Sequence, residues 1–179
     1  IPISVDTYKA NVAKAAIEAG ADMVNDIWGL KYDPKMAEVI AETGVACCLM
    51  HNRESADYEH FLEDCMSDLK ESVAIAKAAG ISEDKIILDP GVGFGKTYEQ
   101  NLLVLKHLAD FNELGYPVLL GTSRKSVIGL TLDLPTDERL EGTLSTTVMA
   151  VMAGMSFVRV HDIEANARAI AMTEAILNI

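Results

Sequence analysis

The feature that most constrains this chain is a repeat. Five times, a helix-compatible stretch ends in a glycine and gives way to a short apolar run, at Gly20, Gly44, Gly80, Gly115 and Gly154. Glycine just past a helix end supplies the left-handed cap that other residues resist. The apolar runs that follow are residues 23–24, 45–50, 86–88, 118–120 and 157–160, and the chain opens on a further strand-like run, Ile1-Pro2-Ile3-Ser4-Val5-Asp6. Successive glycines lie 24 to 39 residues apart, the size of one βα unit. The strands are continuous apolar runs rather than alternating ones, which predicts a parallel sheet covered on both faces. Helices are expected over about 8–19, 34–43, 57–79, 98–113, 137–153 and 163–177, with Val12, Ala16 and Ile17 marking the inner face of the first.

Two α/β architectures fit six such units: an open doubly wound sheet, or a TIM (βα)8 barrel of about 250 residues of which six units are present. The strand tips favour the barrel. Each strand ends in polar residues: Asp6-Thr7, Asn25-Asp26, His51-Asn52, Asp89-Pro90, Ser123-Arg124-Lys125 and Arg159 with His161-Asp162. An open sheet gathers its chemistry at one switch point, whereas a barrel brings every strand tip to one mouth. The 179 residues are read as a single domain, part of such a barrel.

Charge narrows the function classes. Fifteen Lys and Arg against 27 Asp and Glu leave a net charge of −12. No basic stretch could neutralise nucleic-acid phosphates or hold an anionic membrane surface. The longest uncharged run, residues 142–158, is short for a membrane span and rich in Thr, Ser and Gly. No signal-peptide pattern is present, and a cytoplasmic protein is expected. The chain lacks an initiator Met and is expected to be a fragment. Cys47, Cys48 and Cys65 form no CxxC pair, and the adjacent two are expected to face opposite sides of a strand as buried thiols.

Three segments carry chemistry. In Asp89-Pro90-Gly91-Val92-Gly93-Phe94-Gly95-Lys96, closely spaced glycines admit a ligand close to the backbone, and Asp89 could accept N–H donors from a planar heterocycle. In Gly121-Thr122-Ser123-Arg124-Lys125-Ser126, two cations and three hydroxyls at a strand exit suit an anion. In Arg159-Val160-His161-Asp162, alternation puts Arg159 and His161 on one side, where they could grip one phosphate group. Each has a plainer reading: a solvated turn, a helix start, a surface Arg–Asp pair. Asp6-Thr7 and Asn25-Asp26 could each be helix caps. His51 has no second metal ligand at usable spacing and reads as structural. No nucleophile elbow is present. The set suits displacement of a phosphorylated leaving group, where catalysis is positioning and charge stabilisation.

Together, Ser4-Val5-Asp6-Thr7, Val24-Asn25-Asp26-Ile27, Leu49-Met50-His51, the Asp89–Lys96 segment, Ser123-Arg124-Lys125-Ser126 and Arg159-Val160-His161-Asp162 resemble the dihydropteroate synthase family, in order and spacing across the whole chain. The resemblance implies a TIM barrel that joins 4-aminobenzoate to (7,8-dihydropterin-6-yl)methyl diphosphate, giving dihydropteroate and diphosphate in folate biosynthesis, with Mg2+. It implies that Asp6, Asn25, Asp89 and Lys125 hydrogen-bond the pterin, that Ile27, Met50 and Phe94 line its pocket, and that Gly121 lies beside it. It further implies that Arg159 and His161 bind diphosphate and act in catalysis with Lys125, and that Ser126 meets the aminobenzoate carboxylate with Lys125 and Phe94 close by.

Family members begin with two further βα units, so this chain corresponds to their strands 3–8. The loops of those units carry a Mg2+-binding Asn and help close the aminobenzoate site. No metal ligand is therefore expected among these 179 residues, and the fragment alone is expected to be inactive, with two unpaired sheet edges. The resemblance also implies a homodimer through helices at about 137–153 and 163–177, the first of them uncharged over 142–153. Two alternatives stand beside this reading. A methyltetrahydrofolate:corrinoid methyltransferase shares the pterin-binding barrel but has no diphosphate to hold. A non-catalytic pterin-binding fragment would bind without turnover.

Overall fold

A computed structural model describes all residues, 1–179. Strands β1 (Ser4–Asp6), β2 (Met23–Asp26), β3 (Ala46–Met50) and β4 (Ile86–Asp89) alternate with helices α1 (Ala10–Glu18), α2 (Met36–Thr43) and α3 (Phe61–Ala78). Helix α4 (Tyr98–Lys106) follows, then β5 (Leu119–Leu120), α5 (Ser126–Leu132), α6 (Leu140–Met152), β6 (Phe157–Val158) and α7 (Ile163–Leu177). All six expected strands are present, and all their pairings are parallel. The chain groups into two compact units, residues 1–54 with 58–91, and residues 55–57 with 92–179.

The first unit holds a four-stranded sheet in the order β1-β2-β3-β4. Sequential neighbours lie side by side, as right-handed βα crossovers produce. One face of this sheet is a dry core: Val24, Cys47, Leu49, Ile86 and Leu88 are all exposed by 1% or less. The helices pack on that side through residues such as Ile40, Leu69 and Ala76, each fully buried. The second unit pairs β5 with β6 and packs α6 against α7. Its core includes Val104, Leu108, Phe111, Leu120 and Ala150.

Every one of the five helix-end glycines takes a positive φ, between 66° and 106°. The repeat read from the sequence is thus a repeat of cap geometry. Three helix expectations need correction. The helix expected over 98–113 ends at Lys106, and residues Leu108–Leu114 form a 3-10 segment instead. His107 at the break has φ −110° and ψ 28°, outside the helical region. Thr97 starts α4 with a reciprocal capping box to Gln100. The helix expected from 57 begins at Phe61. Helix α5 is absent from the expected helices, although a helix start was the plainer reading of residues 121–126; at seven residues it is too short to show a periodic face in sequence.

Candidate active site

Register decides which side chains meet in the first unit. Asp6 pairs with Asn25, Asn25 with Cys48, and Met50 with Asp89. Side chains in register on parallel strands share a face, and faces alternate along each strand. Asp6, Asn25, Met50 and Asp89 therefore share one face of the four-stranded sheet, at the carboxyl ends of four successive strands. The sequence expected these four residues in one site, and the structure brings them together. Asn25, Met50 and Asp89 are buried and Asp6, on the edge strand, is exposed. Half-buried Ile27 follows directly on β2.

The Asp89 carboxylate also shapes its own loop. Its Oδ1 accepts the Gly91 N–H at 2.7 Å, and its carbonyl accepts the His51 N–H at 2.9 Å. Asp26 differs from its neighbour Asn25. It lies on the opposite, helix-packed face, and its two oxygens accept N–H groups of Trp28 (2.9 Å) and Leu30 (2.8 Å). It is a turn cap, the plainer of the two readings for that pair. Burial pushes its carboxyl pKa above the ordinary value, partly offset by those two hydrogen bonds.

His51, read from the sequence as structural, is held by α3. Its Nε2 lies 3.0 Å from Asp68 Oδ2 on α3, and Arg53 Nε donates to the same oxygen at 2.6 Å. Arg53 also stacks on the Tyr58 ring, 4.4 Å from its centroid. Burial raises the Asp68 pKa, but the Arg53 hydrogen bond and the charges of Lys31, His51 and Arg53 outweigh it and hold the carboxyl below its ordinary value. Arg53 and Asp68 carry no motif signal; only the fold puts α3 beside the β3 exit. The adjacent cysteines behave as expected. Both are fully buried free thiols on opposite faces, and burial first, then the Asp26 charge, pushes Cys47 up to about 12, far from nucleophilic at neutral pH.

In the second unit the glycine-rich loop and the β5 exit form one cradle. Lys125 Nζ donates to the Val92 carbonyl and stands 4.6 Å from the Phe94 ring centroid. Gly93, at φ 86°, allows this approach: a Cβ there would lie 3.1 Å from Lys125 Cδ. Its N–H donates to Asn101 Oδ1 at 2.6 Å, tying the loop to α4. Phe94 and Lys125, expected near one substrate, are thus neighbours. Gly121 is buried at the end of β5, and Ser126, the first residue of α5, is exposed.

The β5 and β6 exits are laced together. Ser123 Oγ meets both the His161 backbone N–H (3.1 Å) and His161 Nδ1 (2.9 Å). Arg124 donates to both oxygens of Asp162, from Nε at 3.1 Å and Nη2 at 2.6 Å. The Arg–Asp pair thus uses Arg124 rather than Arg159, and Arg124 is neutralised within the protein. That hydrogen bond holds the Asp162 carboxyl below its ordinary value. The Arg159 N–H donates to the Leu120 carbonyl at 2.9 Å, extending the β5–β6 ladder one residue past β6. The half-buried Arg159 and the exposed His161 both sit at this exit. The sequence marked Ser123 only as one of three hydroxyls at this exit, with no specific partner.

The profile of the "Pterin binding enzyme" family matches residues 1–161. The chain belongs to the pterin-binding enzyme family. Within it, the chain is similar to the dihydropteroate synthase of Clostridium beijerinckii, 58% identical over 178 residues that make up 99% of this chain and 66% of that protein. It is 56% identical to the dihydropteroate synthase of Bacillus subtilis, over 99% of this chain and 62% of that protein. The chain therefore spans just under two thirds of the length of these relatives. A crystal structure of the Clostridium difficile dihydropteroate synthase, obtained in the presence of pteroic acid, matches with a TM-score of 0.97 at 50% identity, covering 98% of this chain and 67% of that one. The fold class is that of these pterin-binding TIM barrels, with six βα units present.

Proposed function

We propose that the protein to which this chain belongs is a dihydropteroate synthase, and that the residues assigned above serve that reaction. The observation that carries the reading is the common face of Asp6, Asn25, Met50 and Asp89 in the first unit. A buried carboxylate and a buried amide beside an apolar Met suit a flat heterocycle rich in N–H donors. Within the second unit, Lys125 beside Phe94 offers a cation and an aromatic ring, and Arg159 and His161 are the proposed donors for diphosphate. Ser126, with Lys125 and Phe94 close by, is the proposed contact of the aminobenzoate carboxylate.

The proposed chemistry is a substitution at the pterin methylene carbon. The C–O bond to diphosphate breaks, and the electron pair leaves with diphosphate. Arg159 and His161 meet the charge that develops there. The carboxylates at the strand tips stabilise positive charge on the pterin methylene. The aminobenzoate nitrogen then forms the C–N bond and releases a proton. A corrinoid methyltransferase would leave Arg159 and His161 without a diphosphate to bind.

No group of three or more His, Cys, Asp or Glu side chains is placed to hold a metal ion, and Asp162 is taken by Arg124. The residues present do not form a Mg2+ cage. Mg2+ belongs to the proposal as an ion carried on the substrate diphosphate, a common way for it to be presented, and no step here runs through it.

Both units are proposed to belong to one pterin-binding barrel domain, and the protein to act in the cytoplasm. No helix is long and apolar enough to cross a membrane. A homodimer through α6 and α7 is proposed as well. The two helices pack together and leave Met149, Met152, Met172, Ile176 and Leu177 exposed. Light scattering of the full-length protein should give a dimer mass; a monomer would remove this part.

Titration calorimetry tests the diphosphate subsite. Arg159→Ala should weaken binding of the dihydropterin diphosphate about tenfold or more, the scale of a charge-assisted hydrogen bond. It should leave 4-aminobenzoate binding within about twofold. Equal losses for both ligands would contradict the assignment.

A further inference from the structure

We infer that Ser123 fixes the proton of neutral His161 on Nε2, turning the imidazole into an outward-facing donor for an anion; this rests on the diphosphate reading above. The argument starts from one oxygen. Ser123 is 6% exposed, and its Oγ has two partners, the His161 backbone nitrogen at 3.1 Å and His161 Nδ1 at 2.9 Å. A backbone N–H only donates, so Oγ accepts there. The hydroxyl still has one proton to place. Nδ1 is the one remaining partner of Oγ, so the proton is satisfied only when Nδ1 accepts it.

The opposite arrangement, Nδ1–H donating to Oγ, would strand a buried hydroxyl proton. The Nε2–H tautomer is thereby favoured. The partner of one ring nitrogen sets what the other can do, as it does for histidines at metal sites. His161 is exposed, and with Nδ1 held by Ser123 its Nε2 is the ring nitrogen left to meet a ligand.

The next residue along each strand exit keeps this rung in place. Arg124 holds Asp162 through two nitrogens at 3.1 and 2.6 Å. Arg124 itself sits at φ 58°, a left-handed conformation that costs a residue with a Cβ. Its N–H donates to Thr143 Oγ1 at 3.1 Å, and its carbonyl accepts from Arg139 Nη1 at 2.9 Å. Contacts with α6 and the turn before it therefore over-determine the strained backbone. Two consecutive rungs, 123 to 161 and 124 to 162, orient the imidazole before any ligand arrives. Ser123 is a positioning residue, and it acts through His161.

Long-range proton–nitrogen NMR of 15N-labelled chain reads the tautomer of the neutral imidazole directly. The expected wild-type spectrum shows His161 protonated at Nε2. Ser123→Ala should abolish that preference and weaken calorimetric binding of inorganic diphosphate about 3- to 10-fold. Ser123→Thr, which keeps the hydroxyl, should retain both properties. Binding of 6-hydroxymethylpterin should be unchanged in all three proteins, which reports that the variants are folded. An Nδ1–H tautomer in the wild type, or an unchanged tautomer in Ser123→Ala, overturns the role of Ser123 and leaves the diphosphate reading intact. An Nε2–H tautomer in a wild-type chain that takes up no inorganic diphosphate overturns the donor role together with that reading.

Discussion

Asp89→Asn is expected to weaken pterin binding by about 100-fold or more while changing the melting temperature little. The carboxylate is 1% exposed at the end of β4 and shares its sheet face with Asn25 and Met50. An asparagine keeps an oxygen for the Gly91 N–H, which Oδ1 now accepts at 2.7 Å, so the loop turn survives. What changes is the other oxygen. In the proposed site it becomes an NH2 donor set against a heterocycle that also presents N–H groups. Each charge-assisted bond is worth about 1.5–3 kcal/mol, and two buried donors set against each other add a desolvation cost. A loss near 3 kcal/mol corresponds to about 100-fold in affinity. Calorimetry with 6-hydroxymethylpterin and a thermal melt on the same samples would check both halves. Affinity within about threefold of wild type would remove Asp89 from the pterin site.

The same residue shows how much was legible in the sequence. Asp89 stands out because it joins an apolar run to a glycine-rich one, and the run sets its depth. The βα repeat was legible for a similar reason: a glycine after a helix marks a backbone angle, and all five marked positions have it. The grouping of Asn25 with Asp6 came from the family resemblance, and the parallel register puts the two residues side by side on one face. What was not legible depends on distance in space. Asp68 lies 17 residues from His51 and is an ordinary acidic residue of an amphipathic helix until α3 packs. Arg124 reads as an exposed cation awaiting an anion, yet Asp162, 38 residues on, supplies that anion internally. Ser123 was visible as a hydroxyl among hydroxyls, but nothing in a linear pattern says which nitrogen it faces. Helix α5 was lost because seven residues give less than two full turns of periodicity.

Gly29→Ala is expected to destabilise the first unit by about 2–5 kcal/mol, through backbone strain and overpacking together. Gly29 takes φ 57°, and a Cβ there would stand 2.6 Å from Ser72 Oγ and 3.0 Å from the Met50 carbonyl oxygen. Left-handed backbone costs an alanine about 1–2 kcal/mol. The steric contribution is about 1–3 kcal/mol, because neither neighbour moves easily. Ser72 is 1% exposed and its hydroxyl donates to the Asp68 carbonyl at 3.2 Å. The Met50 carbonyl belongs to the end of β3 itself. The turn is no freer, since both Asp26 oxygens hold it, through Trp28 and Leu30. Leu30 already takes φ 70° at 3% exposure, so the turn has no slack with which to absorb a second strained residue. Strain released here would push the β3 end and tilt Met50 within the face it shares with Asp89. Denaturant unfolding should therefore show a lower midpoint with an unchanged slope, and pterin affinity should fall alongside it. A loss below about 1 kcal/mol would mean that the turn yields where the Asp26 cap says it should hold.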